Sequence, residues 1–164
     1  MITPEALDAW FQENETFGHR LGVHCKKTDV GYCELEAVVK SYHLNLSKSA
    51  HGGFLFSLID LVAGIAGGST AEGHRHLVTQ SASIYYLRGA REGERLRAEG
   101  KLVHSGHSTG IVFAKIYNEK NDVLARGEVS IFYLGGVVTD NVREIGNYLP
   151  PQDDDTPCMI GTKV

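Results

Sequence analysis

Between Lys48 and Glu72 the chain has one residue of the Asp, Glu, Lys or Arg kind, and it is Asp60. Leu58, Ile59, Leu61 and Val62 flank it. An ionised carboxylate in such a segment is costly unless it is paired or hydrogen-bonded. Carboxylates kept in that position cluster at functional sites. Around Asp60, the residues Phe54, Leu55, Leu58, Leu61, Val62 and Ile65 are spaced to give a helix an apolar surface nearly all round. This predicts a buried helix that begins at His51-Gly52-Gly53. Ala63, Gly64, Ala66, Gly67 and Gly68 make its far end small. Each interior glycine costs about 1 kcal/mol relative to alanine, so either a close neighbour or fraying is expected there.

The same segment is long enough to be read as a membrane span. Its five glycines and central Asp oppose that reading, because an Asp costs ~2.5–3.5 kcal/mol at a span's centre. No second such segment is present, so no membrane partner is expected. A net charge of −4 opposes a general nucleic-acid partner. Cys25, Cys33 and Cys158 are widely spaced and form no CxxC, which predicts a reduced, cytoplasmic setting rather than a disulfide framework. Met1-Ile2-Thr3-Pro4-Glu5 lacks the basic and apolar regions of a signal peptide.

A chain of 164 residues is one domain with short additions. Thr3-Pro4-Glu5 has the form of a helix start, with Thr as N-cap and Pro in first position. Leu7, Trp10 and Phe11 continue it as one apolar stripe, read here as simple packing, ending near Glu13-Asn14. Phe17 to Val23 reads as a first strand or an extended lead-in. Gly31 opens a clearer strand, in which Tyr32, Glu34, Glu36 and Val38 alternate with Cys33, Leu35, Ala37 and Val39. Ser41 to Ala50 reads as a polar loop and Thr70 to His76 as a polar turn. Four strands are then expected, at Leu77 to Leu87, Arg95 to Val103, Gly110 to Tyr117 and Val123 to Leu134. In the first, Leu77, Thr79, Ser81, Ser83 and Tyr85 alternate with Val78, Gln80, Ala82, Ile84 and Tyr86. Short links make these neighbours antiparallel. After Gly135-Gly136 the pattern fades, and Asp153-Asp154-Asp155 with scattered prolines predicts a loosely held tail. The division is a helix in 1–16, a domain in 17–134 and a tail in 135–164. The fold class is α+β: a curved antiparallel sheet wrapped round one long helix, with a partner subunit completing the cover.

This order of elements resembles the hotdog fold. Asn45, then His51-Gly52-Gly53 six residues on, then Asp60 eight residues after the first Gly, resemble hotdog acyl-CoA thioesterases of the phenylacetate-pathway (PaaI-like) type. Val78-Thr79 followed by Ile84-Tyr85-Tyr86-Leu87-Arg88-Gly89-Ala90 resembles the family strand that ends in a Tyr-x-Arg-Pro-Ala-like corner. Two positions depart from the pattern. Lys48 stands where a Gly is common, and Gly89 stands for the corner Pro.

The resemblance implies hydrolysis of an acyl-CoA thioester, with coenzyme A as part of the substrate and no cofactor. Physical reasoning assigns the parts. The first amides of a helix point outward and carry partial positive charge, so the Gly52 N–H is the candidate oxyanion donor. Asp60 is the candidate nucleophile or general base. Gly52 and Asp60 are ~12 Å apart at 1.5 Å per residue, whereas reacting groups lie within ~3–3.5 Å. Two antiparallel helices would bring Gly52 of one chain to Asp60 of another, so a homodimer is expected, and the resemblance implies a homotetramer built from such dimers. By resemblance Asn45 and His51 orient the carbonyl or water, and Thr79 holds the water or the acid. The polyanionic coenzyme A is expected at Gly53, Arg88, Arg91 and the Ser105-Gly106-His107 turn, with Tyr85 beside the acyl group. His74 and His76 are two apart, but no further ligand follows at zinc-like spacing, so no metal is expected. No GxGxxG or GxxxxGK[ST] run occurs. Two alternatives stay open at this point: a hotdog hydratase or dehydratase, for which no Asp-to-His pairing is visible on this helix, and a non-catalytic acyl-CoA sensor, which would not need Asp60.

Overall fold

The computed structural model describes residues 2–13, 16–71 and 73–138. Helix α1 (Pro4–Glu13) starts as its sequence predicts. Thr3 Oγ1 accepts the Ala6 N–H at 3.2 Å. Leu7 and Phe11 are buried, and Asp8 Oδ1 accepts the Cys25 N–H at 3.0 Å, which fastens the helix to the first strand. The next segment differs from expectation. Phe17–Arg20 is one helical turn, α2, and the strand β1 occupies Val23–Asp29. Thr16 caps α2 by accepting the His19 N–H. Gly22 at φ 67° then turns the chain into β1, a conformation that glycine adopts freely.

Strand β2 (Tyr32–Val38) shows the predicted alternation, with Cys33, Leu35 and Ala37 buried. The loop after it holds one 3-10 turn, Ser41–His43, and a single bridge between Leu44 and Ala50. The long helix α3 is Gly52–Gly68, with His51 as its N-cap. Strands β3 (Ser69–Thr70), β4 (Gly73–Tyr86), β5 (Arg95–Ser105), β6 (Thr109–Tyr117) and β7 (Val123–Val138) come next. The expected turn at Thr70 to His76 is therefore mostly strand. His74 and His76 are buried in it, not displayed to solvent. β7 continues past Leu134 to Val138; the rest of the expected tail, 139–164, lies outside the described residues.

The strands form one antiparallel sheet in the order β1-β2-β5-β6-β7-β4-β3. α3 packs on one face of it. Phe54, Leu55, Leu58, Ile59, Val62, Ala63 and Ala66 are buried against Leu35, Leu96, Val112, Ile116, Val129 and Ile131. One stripe of the helix is only half covered: Asp60, Leu61, Gly64 and Ile65. Among the described residues no helix is long and apolar enough to cross a membrane.

Glycines set the spacing between helix and sheet. A Cβ on Gly100 of β5 would sit 2.7 Å from the Val62 carbonyl oxygen, and one on Gly127 of β7 would sit 2.9 Å from Ile59 Cγ2. At the small end of α3, a Cβ on Gly67 would run into Ile131 and one on Gly68 into the His74 ring. Close neighbours, not fraying, account for those two glycines. Gly100→Val is expected to destabilise the fold by roughly 1–3 kcal/mol, although valine is the better strand residue. Chemical denaturation of the two proteins checks this.

Candidate active site

Asp60 is half-buried on the open stripe of α3. Thr79 Oγ1 donates to Asp60 Oδ1 at 2.7 Å. Strict alternation in β4 would not put Thr79 and Tyr86 on the same face, yet both point towards α3. The β4–β7 ladder shifts register twice, at Arg75/Leu77 and at Thr79/Ser81, and the second shift is the reason. A bulge of this kind inserts an unmatched residue and reverses the parity of the residues beyond it. Residues directly opposite each other on paired strands share a face. Thr79 is opposite Ile131, and Tyr86 is opposite Ala125. Both partners are fully buried.

At the start of α3 the capping is done by a histidine. His51 Nδ1 accepts the Gly53 N–H at 2.9 Å, so in its neutral form the ring carries its proton on Nε2, facing outward. The Phe54 and Leu55 amides donate to the His51 carbonyl. The Gly52 N–H makes no hydrogen bond among the described residues. The Gly52 carbonyl accepts the Tyr86 hydroxyl at 3.1 Å. Asn45 folds the preceding loop: its Oδ1 accepts the Ser47 N–H at 2.9 Å and the Ser49 N–H at 3.2 Å. Its side-chain NH₂ is the group left for an outside acceptor. Lys48 has φ 60°, a region that favours glycine. That explains why a Gly is common there in the pattern this sequence resembles. Gly89, in place of the corner Pro, lies against Ser49: a Cβ there would sit 2.6 Å from the Ser49 hydroxyl.

The residues expected to hold coenzyme A fall in two places within one chain. Arg88 and Arg91 lie near the start of α3. Arg88 pairs with Asp122 at 2.6 Å, while Arg91 lines a polar hollow of about 620 Å³ with Ser47, Lys48 and Ser49. Gly53 lies at the same end, in the first turn of α3. Ser105, Gly106 and His107 lie at the opposite end. Ser105 Oγ is 3.2 Å from the Tyr133 hydroxyl, which donates to the Gly67 carbonyl at 3.1 Å. The Gly106 N–H is used within its own turn, on the Thr109 carbonyl, and the His107 carbonyl accepts from Arg75. Tyr85 is turned away from α3, 60% exposed, with Arg126 over its ring.

A cavity of about 460 Å³ opens beside Asp60 and Thr79. It runs under α1, whose Leu7, Trp10 and Phe11 line it. Its floor includes His74 and His76. Burial pushes the His74 ring down to about 4, with His76 adding a smaller push in the same direction. Burial also lowers His76. Local spacing carries no signal for this cavity, because α1 and α3 are far apart in the chain. Tyr86 and its contact to Gly52 are hidden from sequence reasoning by the bulges.

Comparison with known proteins agrees with this geometry. The thioesterase superfamily model matches residues 48–125. A protein of Archaeoglobus fulgidus named "Putative esterase" is 32% identical over 128 residues, 78% of this chain and 81% of its own length. The chain belongs to the thioesterase superfamily. The acyl-coenzyme A thioesterase PaaI of Escherichia coli is 29% identical over 127 residues, 77% of this chain and 89% of that protein. The structure of the E. coli PaaI protein superposes with a TM-score of 0.73 at 27% identity, over 82% of this chain and 95% of that one. A Streptococcus mutans protein bound to acetyl-CoA superposes with a TM-score of 0.67 at 28% identity, over 71% and 91%. Within the superfamily this is a PaaI-like hotdog thioesterase, as the Asn45, His51-Gly52-Gly53 and Asp60 pattern implied.

The depressed His74 predicts a pH dependence of stability. An unfolded histidine takes up its proton near 6.5, whereas folded His74 resists until about 4. The unfolded state therefore binds more protons in that window, and stability falls as pH drops from ~6.5 to ~4 by up to about 3 kcal/mol. Below that range this group adds no further change. His74→Gln is expected to flatten the slope, as read by denaturation at a series of pH values.

Proposed function

We propose that the protein hydrolyses acyl-CoA thioesters at a site shared between two chains. The Thr79–Asp60 hydrogen bond, aimed by the bulge in β4, is the observation that carries this reading. Asp60 acts on the thioester carbonyl in one of two ways. It attacks, the carbon–sulfur bond breaks, coenzyme A leaves as a thiolate that takes a proton, and water cleaves the anhydride. Alternatively it takes a proton from a water that attacks, and the proton passes to the leaving sulfur. In both routes Thr79 holds one carboxylate oxygen and leaves the other to react.

The oxyanion that forms needs a donor, and the unpartnered Gly52 N–H is suited to it. Within one helix that amide is ~12 Å from Asp60. A second chain supplies it. From Arg75 to Tyr86 the outer edge of β4 has no strand partner among the described residues. A long open edge of this kind pairs readily with another strand. Antiparallel pairing of two such edges lays two α3 helices side by side in opposite directions. His51 then presents Nε2–H, and Asn45 its amide, to the carbonyl or water. Coenzyme A, a polyanion, takes Arg88, Arg91 and Gly53 from the start of α3. Ser105, Gly106, His107 and Tyr85 contribute at the periphery of the paired site. The paired chains assemble further into a homotetramer in the cytoplasm.

The E. coli relative's name as an acyl-coenzyme A thioesterase and the acetyl-CoA in the S. mutans structure support the substrate class. Asp60→Asn is expected to lower kcat by about 10²–10⁴-fold while the far-ultraviolet spectrum stays unchanged. Thr79→Val removes a bond to a charged group worth about 1.5–3 kcal/mol, so a loss of roughly 10–100-fold is expected. Thiol release from a panel of acyl-CoAs measures both. Full activity in Asp60→Asn, or no turnover of any acyl-CoA by the wild type, contradicts the reading.

A further inference from the structure

The cavity beside Asp60 is longer than a thioester carbonyl requires. Its walls come from the open stripe of α3 (Leu61, Gly64, Ile65) and from the buried face of α1 (Leu7, Trp10, Phe11). It follows α3 from Asp60 to Ser69, nine residues or about 13 Å. That is the length of an extended medium-chain acyl group. It leads towards the end of α3 away from Gly52.

Gly64 decides the width. A Cβ at Gly64 would meet nothing within 4 Å, unlike Gly67 and Gly68 on the next turn. Within one chain Gly64 is therefore not required by packing. Glycine in a helix interior is unfavourable, and here its effect is to keep the cavity open.

Apart from Asp60 at its mouth, the lining carries no charged side chain among the described residues. Among the described residues no Lys or Arg contributes to it. Ser69 Oγ is turned to the Ile65 carbonyl at 2.8 Å. His74 and His76 are both held neutral at physiological pH by burial. A carboxylate at the far end of an acyl group would find no lysine or arginine there to offset its desolvation.

We propose that the cavity under α1 is the acyl subsite, that it selects medium-chain apolar acyl groups, and that Gly64 and Trp10 set the length it admits. The proposal rests on the thioesterase reading above and goes further by naming the acyl class and the residues that choose it. Each methylene buried in the cavity adds about fourfold to kcat/KM until the cavity is full.

Trp10 is the one tryptophan of the sequence, so its emission reports occupancy of the cavity without any turnover. The test uses the non-hydrolysable thioethers S-octyl-CoA and S-methyl-CoA with the full chain. S-octyl-CoA is expected to shift Trp10 emission, and S-methyl-CoA to leave it unchanged. In the wild type, kcat/KM is expected to rise from acetyl-CoA to octanoyl-CoA, and butyryl-CoA to exceed succinyl-CoA, which has the same number of carbons. Gly64→Leu, which adds a good helix former, is expected to remove the emission shift and cut octanoyl-CoA turnover at least tenfold while acetyl-CoA turnover stays within about twofold. Trp10→Ala, which widens the cavity instead, is expected to move the optimum to longer acyl groups. Unchanged Trp10 emission at saturating S-octyl-CoA overturns the proposal. So does a chain-length profile that neither variant alters. If the emission shifts and no acyl-CoA is hydrolysed, the subsite stands and the catalytic reading fails.

Discussion

A carboxylate on an otherwise apolar helix needs a donor, and Thr79 provides it at 2.7 Å. This contact depends on where β4 faces at each step. The strand shifts register twice against β7, and the shift at Thr79/Ser81, two residues against one, reverses its parity. His74 faces the small end of α3, Thr79 faces Asp60, and Tyr86 faces Gly52. Without the second bulge, residues aligned with Thr79 on one face would leave Tyr86 on the other. One irregular strand thus addresses three levels of the helix, each with a different side chain. Bulges recur beside active sites for this reason: they re-aim side chains without breaking the sheet.

The helix can be addressed so closely because the sheet comes close to it. Gly100 and Gly127 remove side chains where β5 and β7 cross α3, and Gly67 and Gly68 make room for Ile131 and the His74 ring. Gly64 differs from these, since its missing side chain leaves space rather than contact. The covered side of α3 is dry and close-packed, as protein interiors are. The other side is a half-open stripe roofed by α1, with Asp60 at one end. The same helix serves as core and as the wall of a site.

Much of this is legible in the residues. The charge-free run around Asp60 defines the central helix, its start at Gly52 and the small-residue end. Alternation defines β2, and short links define the antiparallel order. The differences between expectation and structure have physical causes. Phe17–Arg20 is helical because Thr16 caps it and Gly22 ends it, a signal too short to stand out beside the apolar pattern of the strand after it. His74 and His76 read as part of a polar turn because histidine is commonly exposed, yet the missing side chain of Gly68 gives the His74 ring its seat. Thr79 is identified by resemblance and not by periodicity, since a bulge leaves no mark in an alternating sequence. The cavity under α1 depends on contacts between segments some fifty residues apart, for which a pattern of local spacing carries no information.

The central claim is that one chain holds half of each site. Gly52 is the first residue of α3, where proline is favoured and where its lack of an N–H costs the helix nothing. His51 already has the extended backbone, φ −63° and ψ 140°, that a following proline requires. Gly52→Pro therefore deletes the proposed oxyanion donor, and the Tyr86 ring, whose Cζ would lie 3.2 Å from a Cβ at that position, must give way slightly; Asp60→Asn deletes the carboxylate's function. The most direct measurement is thioesterase activity after co-refolding equal amounts of the two single variants, each inactive alone. In a two-fold dimer half of the molecules are mixed, and each mixed dimer regains one intact site, so activity should return to about a quarter of the wild type. A mixture as inactive as its components would show that Gly52 and Asp60 must lie on the same chain, and would contradict the shared site.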